Sequence, residues 1–198
     1  MGIKIIDGDK TYDVDDILNY LFKNKMKKYT KKEIESFLME SNAIEGVYDT
    51  DSFKQAKKAW KYLEKQDVLT INVILETHRI LMLNQSIQPD EKGFFRRCEV
   101  RIGNRFGLNW IKVPEAMNEW IKDVETSIKI PGIDGENIKR DHIAYEKIHP
   151  FVDGNGRTGR LFLNWQRMKV GLPILIIYTE WPPREGDGVS KYYKWFKK

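Results

Sequence analysis

The sequence predicts a mainly α-helical protein with a single short β-hairpin. Apolar residues recur at intervals of three and four over most of the chain, which is the period of an amphipathic helix, whereas they alternate with charged residues around positions 100–102. Of the 198 residues, 41% are hydrophobic and 12% aromatic, which is enough for the core of a globular domain. We therefore predict one domain over residues 1–198 with about eight helices.

The helices predicted in the first half of the chain each begin after a residue that favours helix N-termini. Thr30 and Glu33 have the spacing of a capping box, and the helix that they begin is predicted to end near Gly46. The other three helices are predicted to follow Asp13, Asp51 and Thr70, with apolar stripes that run through Val14–Phe22, Phe53–Leu63 and Ile71–Leu81.

A β-hairpin is predicted between residues 93 and 111. Val100 and Ile102 alternate with charged residues, and Gly103–Gly107 has the composition of a turn before the segment Leu108–Ile111. Four further helices complete the predicted fold, and they run from Pro114 to Ile128, Ile138 to Ile148, Asn155 to Met168 and Val189 to Phe196.

Composition argues against several classes of protein. No apolar run approaches the roughly 18 residues that a membrane helix needs, and the N-terminal residues are not those of a signal peptide. Cys98 is the single cysteine, which excludes an intrachain disulfide and suits a reducing cytoplasm. His78 and His142 lack partners at zinc-ligand spacing, so we predict that they are structural. We expect a cytoplasmic protein with no membrane span.

The most informative stretch is His149–Arg160, which reads His-Pro-Phe-Val-Asp-Gly-Asn-Gly-Arg-Thr-Gly-Arg. Gly154 and Gly156 allow the backbone to bring amide groups close to a ligand. The helix predicted from Asn155 directs its unpaired N–H groups and the positive end of its dipole to the same place. The stretch therefore predicts an anion site of the kind that holds phosphate.

Four side chains in this stretch suit chemistry on a polyphosphate. His149 can accept a proton near neutrality, and Asp153 offers an oxygen ligand to a Mg²⁺ ion that also binds substrate phosphates. Arg157 and Arg160 are three residues apart on one side of the predicted helix, so both guanidinium groups are expected to reach one phosphate chain bidentately. Each residue alone has an ordinary structural explanation, but the combination predicts a nucleotide-phosphate site.

Position for position, the stretch resembles the signature His-Pro-Phe-x-Asp/Glu-Gly-Asn-Gly-Arg-x-x-Arg of the Fic domain family. The resemblance implies the Fic fold and a protein adenylyltransferase, which moves AMP from ATP to a Tyr, Thr or Ser hydroxyl of a target protein. It implies that His149 is the general base and that Asp153 is the Mg²⁺ ligand. The residues that it implies for nucleotide binding are Phe151, Gly154, Asn155, Gly156, Arg157 and Arg160.

Gly156 bears on the type of transfer that the resemblance implies. Relatives that phosphorylate their targets, the Doc-type toxins, have a lysine in this position, which fills the space that a nucleotide α-phosphate needs. The glycine leaves that space open, so AMP transfer is favoured over phosphorylation. Removal of AMP from a modified target is a further activity of some relatives, and it stays an alternative here, as does another phosphate transfer of the Fic type.

A second segment, Ser41–Gly46, ends the second predicted helix. From the residues alone it is the end of a surface helix closed by a glycine. It is also similar to the inhibitory-helix motif of Fic proteins that carry their inhibitor before the catalytic motif, over about residues 30–46. That resemblance implies a Glu45 carboxylate paired bidentately with Arg160 in place of the γ-phosphate. The residues implied to be inhibitory are Ser41, Glu45 and Gly46.

The predicted hairpin is similar to the flap of Fic proteins, over about residues 93–111. A flap of this kind pairs with the backbone of a target peptide by strand addition and presents the target hydroxyl with little sequence readout. From the residues alone, a hairpin that only covers the core is also compatible. The residues implied to contact a target are Val100, Arg101, Ile102 and Gly103.

The net charge of +5 leaves a function of another class open. The basic surplus lies in Lys23–Lys32 and in the C-terminal lysines, so a module that binds nucleic acid is a rival hypothesis. The aromatic residues that could stack on bases, or instead form the buried face of the last helix, are Tyr192, Tyr193, Trp195 and Phe196. For the enzyme, the expected partners are ATP and an unidentified target protein, which includes the chain itself, and self-association stays open.

Overall fold

The computed structural model describes residues 4–7, 10–13, 26–103, 105–130, 132–179 and 188–197. Within them the fold is mainly α-helical, as predicted, with seven α-helices and two short hairpins. The helix predicted after Asp13 lies outside the described residues. No described helix has the length and apolar character needed to cross a membrane.

The elements follow one another in a simple order along the chain. The strands are β1 Lys4–Asp7, β2 Lys10–Asp13, β3 Arg101–Ile102 and β4 Arg105–Phe106. The helices are α1 Lys31–Ile44, α2 Thr50–Leu63, α3 Ile71–Leu81, α4 Val113–Ser127, α5 Gly135–Ile148, α6 Asn155–Lys169 and α7 Val189–Lys194. Single 3-10 turns lie at Pro89–Glu91 and Trp110–Lys112.

Capping side chains set the starts of α1 and α2. The Thr30 hydroxyl accepts from the Glu33 backbone N–H at 3.2 Å and the Glu33 carboxylate accepts from the Thr30 N–H at 2.7 Å, so the predicted capping box is confirmed. The predicted start of α2 is wrong by two residues. Asp49, not Asp51, is the cap, because its carboxylate accepts from the Ser52 N–H at 2.8 Å.

Helix α6 lies at the centre of the fold. Almost every residue from Asn155 to Lys169 is buried, so the helix is enclosed on all sides instead of along one stripe. Phe162 packs edge-on against Tyr145 of α5, with ring centroids 5.5 Å apart, and Trp120 of α4 lies 5.9 Å from the same ring. Groups at the N-terminal end of α6 are therefore held by a tightly packed element.

Helix α1 is attached to the domain by apolar and polar contacts. Phe37 and Leu38 are buried in the common core. The Glu40 carboxylate accepts hydrogen bonds from the backbone N–H and the hydroxyl of Thr179, at 2.9 and 2.8 Å. The segment after α6 therefore binds α1 at Glu40, one turn before the helix ends.

The hairpin predicted near residue 100 is present. Arg101 lies opposite Phe106 and Ile102 lies opposite Arg105 in an antiparallel pair. The second strand begins earlier than predicted. Two residues separate the strands in the sequence, and a two-residue connection best matches the twist of antiparallel strands. The segment 108–111, predicted to be the second strand, instead leads into the 3-10 turn at Trp110–Lys112.

A second hairpin, formed by β1 and β2, was missed by the sequence prediction. Lys4 pairs with Asp13, and Asp7 pairs with Lys10. Its signal in the sequence is the Asp-Gly-Asp run at residues 7–9, since such residues are typical of a tight turn between strands. Strands of four residues are too short for alternation to predict them.

Candidate active site

The segment 149–160 connects the end of α5 to the start of α6. His149 is the C-terminal cap of α5 with a φ of 52°, a left-handed conformation that is uncommon for residues other than glycine. The Asn155 side chain is buried and closes the loop from within. Its oxygen accepts from the Phe151 N–H at 2.8 Å and its amide donates to the Phe151 carbonyl at 2.9 Å. Asn155 therefore shapes the loop and does not face the cleft beside it.

The loop rests on a stacked pair of rings. Phe151 is fully buried, and its ring lies 3.7 Å from that of His78 with an angle of 4° between their planes. His78 accepts from the Gly93 N–H at Nδ1, at 2.9 Å, so its Nε2 carries the proton and donates to the Asp153 carbonyl at 3.0 Å. His78 is structural, as predicted. The Phe151 ring, implied to bind nucleotide, instead supports the loop from the core.

A cleft of about 650 Å³ opens beside the loop. It is bounded by α1, the β3–β4 hairpin, the end of α5, the start of α6 and α7. The structure brings six of the predicted site residues into its lining, namely Glu45, Ile102, Gly103, His149, Gly156 and Arg160. The other predicted residues do not line it, and they are Ser41, Gly46, Val100, Arg101, Phe151, Asp153, Gly154, Asn155 and Arg157.

His149 presents a largely buried imidazole to this cleft. Burial lowers its pKa to about 4, so the ring is neutral at pH 7 and has a free lone pair. Its Nδ1 lies 3.8 Å from the nearer carboxylate oxygen of Glu146, one turn earlier on α5. The predicted proton acceptor is therefore in the protonation state that the role requires.

Glu146 is a site residue that the sequence prediction missed. Its carboxyl group lines the cleft, and burial raises its pKa to about 7. Its other oxygen lies 3.9 Å from Nε2 of His142, a ring that is itself hydrogen-bonded to the Tyr192 hydroxyl at 2.9 Å. The available signal was a carboxylate three residues before His149, since residues at that spacing share a helix face.

The two glycines of the loop serve different needs. Gly154 has a φ of 76°, and a Cβ atom there would run into the Met82 sulfur. Gly156 lies at the N-terminal end of α6, and a Cβ atom there would collide with the Glu45 carboxylate and lie 3.0 Å from Arg160 Nη1. Gly154 therefore permits the turn, whereas Gly156 keeps the cleft open beside Arg160.

The two arginines of the motif do not lie side by side as predicted. Arg160 lines the cleft, but Arg157 directs Nη1 to the Gln85 side-chain oxygen at 3.2 Å and Nη2 toward the Asp153 carboxylate at 3.5 Å. Both are buried, and burial lowers the pKa of Arg157. The side chains diverge because Gln85 and Asp153 hold Arg157 away from the cleft.

Helix α1 delivers two side chains to Arg160. Arg160 Nη2 donates to the Glu45 carboxylate at 2.7 Å and to the Ser41 carbonyl at 2.9 Å, and Nε donates to the Ser41 hydroxyl at 2.9 Å. Ser41 and Glu45 thus share a face, as predicted. The predicted bidentate pair is wrong, since Glu45 accepts one bond only. Ser41 accepts from Nε and Nη2, and Nη1 donates to the Tyr192 hydroxyl at 3.4 Å. Burial opposes the Arg160 charge, but its acidic neighbours outweigh burial and raise its pKa.

The histidines make stability depend on pH. Burial lowers the pKa values of His78, His142 and His149 to about 4, 3 and 4, so unfolding takes up protons between about pH 6.5 and 4. The raised pKa of Glu146, about 7, acts in the opposite direction between about pH 4.5 and 7, but one group opposes three. We expect the free energy of unfolding to fall on acidification from about pH 6.5 to 4.5.

Urea unfolding followed by circular dichroism at about pH 7 and about pH 5 checks this expectation. In His142→Gln, which lacks one of the three titrating rings, the difference between the two free energies should be smaller. Equal free energies at both pH values in the unmutated chain would contradict the buried neutral histidines.

A model of the Fic/DOC family matches residues 68–166, which is half of the chain. The match includes α3, the β3–β4 hairpin, α4, α5, the loop and most of α6. The chain belongs to the Fic/DOC family. The β3–β4 hairpin lies where a Fic flap was predicted, beside His149, and is called the flap from here on.

Relatives with curated names carry the same domain. The Fic-family chain is 35% identical over 126 residues to protein adenylyltransferase fic-1 of Caenorhabditis elegans, a match that covers 59% of this chain and 23% of that protein. It is 33% identical over 149 residues to protein adenylyltransferase Fic of Drosophila melanogaster, which covers 70% of this chain and 27% of that protein. The chain thus spans about a quarter of the length of the curated relatives that it matches.

Solved structures support the fold. A Fic domain containing signaling protein from Bacteroides thetaiotaomicron superposes with a TM-score of 0.64 at 19% identity, over 82% of this chain and 75% of that chain. Fic-1 from C. elegans superposes with a TM-score of 0.57 at 23% identity, over 82% and 57% of the two chains. At these identities the likeness shows the Fic fold.

Proposed function

We propose that this Fic-family chain is a protein adenylyltransferase that transfers AMP from ATP to a hydroxyl side chain of a target protein. The observation that carries the proposal is the meeting of His149, Gly156 and Arg160 in one cleft at the N-terminal end of α6. A neutral imidazole, a helix N-terminus and a buried cation are the groups that transfer from a polyphosphate needs. The names of the two curated relatives support the same transfer.

In the proposed reaction, the target hydroxyl oxygen forms a bond to the α-phosphorus of ATP. The bond from that phosphorus to the oxygen bridging the β-phosphate breaks, and pyrophosphate leaves. His149 takes the hydroxyl proton, for which it is ready because its ring is neutral. The N–H groups at the start of α6 and the Arg160 guanidinium stabilise the negative charge of the phosphates.

Asp153 suits the role of Mg²⁺ ligand. Its side chain is 53% exposed, and its carboxylate accepts from the Gly154 N–H at 2.6 Å while the other oxygen lies 3.5 Å from Arg157. The part of the chain that the structure describes has no group of three or more His, Cys, Asp or Glu side chains able to hold a metal. A single carboxylate fits Mg²⁺, which takes its remaining ligands from substrate phosphates and water. The ion would neutralise phosphate charge.

We further propose that the chain inhibits itself through α1. The Glu45 carboxylate occupies the Arg160 Nη2 donor that the γ-phosphate of ATP needs, and Ser41 holds the same guanidinium group in that arrangement. Gly46 follows with a φ of 69°, a left-handed conformation that is typical of the residue after a helix C-cap such as Glu45. ATP bound against this carboxylate would have its α-phosphorus out of line with the attacking oxygen.

The flap is the proposed site for the target. Ile102 and Gly103 line the cleft that contains His149. Among the residues that the structure describes, β3 and β4 pair only with each other, which leaves both outer edges of this sheet unpaired. An unpaired edge accepts an extended peptide by strand addition, which fixes the target backbone without reading its sequence. Val100 and Arg101 lie at the start of that edge.

Labelled ATP tests the proposed function directly. In the Glu45→Gly variant with Mg²⁺, we expect label from the α-phosphate, and not label from the γ-phosphate, to appear on the chain itself or on an added protein. The reason is that Gly156 leaves the cleft open for the α-phosphate. Transfer of γ-label would identify a kinase instead, and no transfer of either label to chain or lysate proteins would remove the proposal. A reaction with EDTA is the matched control for Asp153-bound Mg²⁺.

The rival hypothesis of nucleic-acid binding receives less support. Tyr192 is 2% exposed, with its hydroxyl bonded to His142 and its ring 5.7 Å from the Arg160 guanidinium carbon. Tyr193, at 48% exposed, is the most accessible of the four aromatic side chains of this segment. Helix α7 therefore uses its aromatic face mainly to wall the cleft.

We place the reaction in the cytoplasm, since the exposed free thiol of Cys98 suits a reducing compartment.

A further inference from the structure

Arg96 is a buried cation whose acceptors are all backbone carbonyls. Its Nε donates to the His149 carbonyl at 2.7 Å, and Nη1 donates to the Cys98 carbonyl at 2.7 Å. Nη2 donates to the Ile148 carbonyl at 3.2 Å and also to the Leu108 carbonyl. Burial lowers the pKa of the guanidinium group, so these bonds must offset the cost of removing its charge from water.

The four acceptors come from two functional parts of the molecule. Ile148 and His149 provide the last carbonyls of α5, where a cation also interacts favourably with the helix dipole. Cys98 and Leu108 lie just outside the two strands of the flap, one on each side. One guanidinium group therefore connects the segments on both sides of the flap to His149.

The backbone around Arg96 adds two attachments to the same region. Its own N–H donates to the Pro150 carbonyl at 2.9 Å. Gly107 closes the flap by donating to the Val100 carbonyl at 3.0 Å, and a Cβ atom at Gly107 would lie 3.0 Å from Arg96 Nη2 and 3.6 Å from the His149 Cβ. A side chain at residue 107 would therefore crowd Arg96 Nη2, whereas its contact with His149 would be of ordinary length.

We infer that Arg96 is a positioning residue that fixes the flap and the His149 ring in one geometry, so that a target hydroxyl held by the flap meets its proton acceptor. The inference rests on the proposed function. Without the guanidinium group, four carbonyls at the junction lose their donor, and the flap and the left-handed His149 lose their common support. The phosphate side of the cleft, from Gly154 to Arg160, receives no bond from Arg96, so nucleotide binding does not depend on it.

The experiment compares Arg96→Ala with Arg97→Ala, a change at the neighbouring arginine, which is exposed. Both are made in the Glu45→Gly background, with AMP on the chain measured by intact mass and ATP–Mg²⁺ affinity by calorimetry. We expect Arg96→Ala to slow AMP transfer on the order of 100-fold, as for a misplaced reacting group. The dissociation constant for ATP should stay within about twofold. Arg97→Ala should change neither.

Three further measurements separate positioning from a general loss of structure. Guanidinium ion at millimolar concentration should restore part of the activity of Arg96→Ala, because it fits the space among the four carbonyls. Arg96→Lys should recover less than the wild-type rate, since one ammonium group cannot reach carbonyls on both sides. Hydrogen exchange should quicken at the flap amides, including that of Gly107, but not in α6.

These measurements test the role of Arg96 even while the target protein is unidentified. Exchange at the flap unchanged in Arg96→Ala would overturn it, even if the parent variant proved inactive and the proposed function failed. Equal loss of transfer and of ATP binding, together with a lower melting temperature and no rescue by guanidinium, would also overturn it, because Arg96 would then be an ordinary structural residue. Absence of AMP transfer in the Glu45→Gly parent alone would count against the proposed function and not against Arg96.

Discussion

Glu45→Gly should raise the rate of AMP transfer about 10- to 100-fold over the unmutated chain, because it frees one charged donor of Arg160 for the γ-phosphate. The estimate follows from the contact that is lost, a hydrogen bond of 2.7 Å between charged groups, and such bonds are worth about 1.5–3 kcal/mol. Arg160 is buried but the Glu45 side chain is 37% exposed, so solvent weakens the pair and the lower end of this range is expected. The rate of AMP incorporation at the same subsaturating ATP concentration for both chains, followed by intact mass, measures the effect.

Glu45→Gln is the matched control for that change. Its side-chain oxygen can still accept from Arg160 but carries no charge, so we expect a rate between those of the unmutated chain and Glu45→Gly. Ser41→Ala should also raise the rate, by a smaller factor, because it removes one of the bonds that orient Arg160 toward α1. Equal rates for the unmutated chain and Glu45→Gly would contradict self-inhibition while leaving the transfer activity in place.

His149→Ala in the Glu45→Gly background should reduce AMP transfer by about 100- to 10,000-fold, the usual contribution of a general base. ATP affinity should change little, because the phosphates are expected to contact the α6 N-terminus and Arg160 instead of the imidazole. Initial rates and calorimetric titration with ATP–Mg²⁺ give the two quantities. Together they separate a residue that acts on the target hydroxyl from one that binds nucleotide.

Lys147→Ala is a suitable comparison for His149→Ala, because the lysine lies two residues earlier and is exposed. It should leave the rate unchanged. If His149→Ala retained the parent rate, another group would have to accept the proton, and Glu146 is the next titratable side chain in the cleft. If ATP affinity fell in parallel with the rate, the imidazole would belong to the nucleotide site.

The sequence predicted those parts of the site that depend on neighbouring residues in the chain. The loop motif at 149–160, the capping box at Thr30 and the helix that carries Ser41 and Glu45 all follow from local spacing, which survives folding because each element satisfies its own backbone groups. The side-by-side arginines were not found, because the direction of Arg157 is set by Gln85, which is 72 residues away in the chain.

Residues that act through packing could not be predicted in the same way. Arg96 and His78 resemble ordinary helix or loop residues in the sequence, and their roles follow from carbonyls that only the tertiary fold assembles. The sequence predicted two bonds between Glu45 and Arg160, but there is one, and the reason also lies in the tertiary fold. Ser41 competes for the guanidinium donors only once α1 docks on α6.

The attachment of α1 through Glu40 and Thr179 bears on how ATP competes with Glu45. A carboxylate tethered within its own molecule acts at a fixed effective concentration, typically millimolar, whatever the dilution of the protein. If the proposed self-inhibition holds, dilution should therefore not raise the rate of AMP transfer, and the ATP concentration needed to displace Glu45 is set by this attachment. Detachment of the last turn of α1 would lower the ATP concentration that is needed. A partner that binds this turn would therefore change the rate of transfer without contacting the catalytic groups.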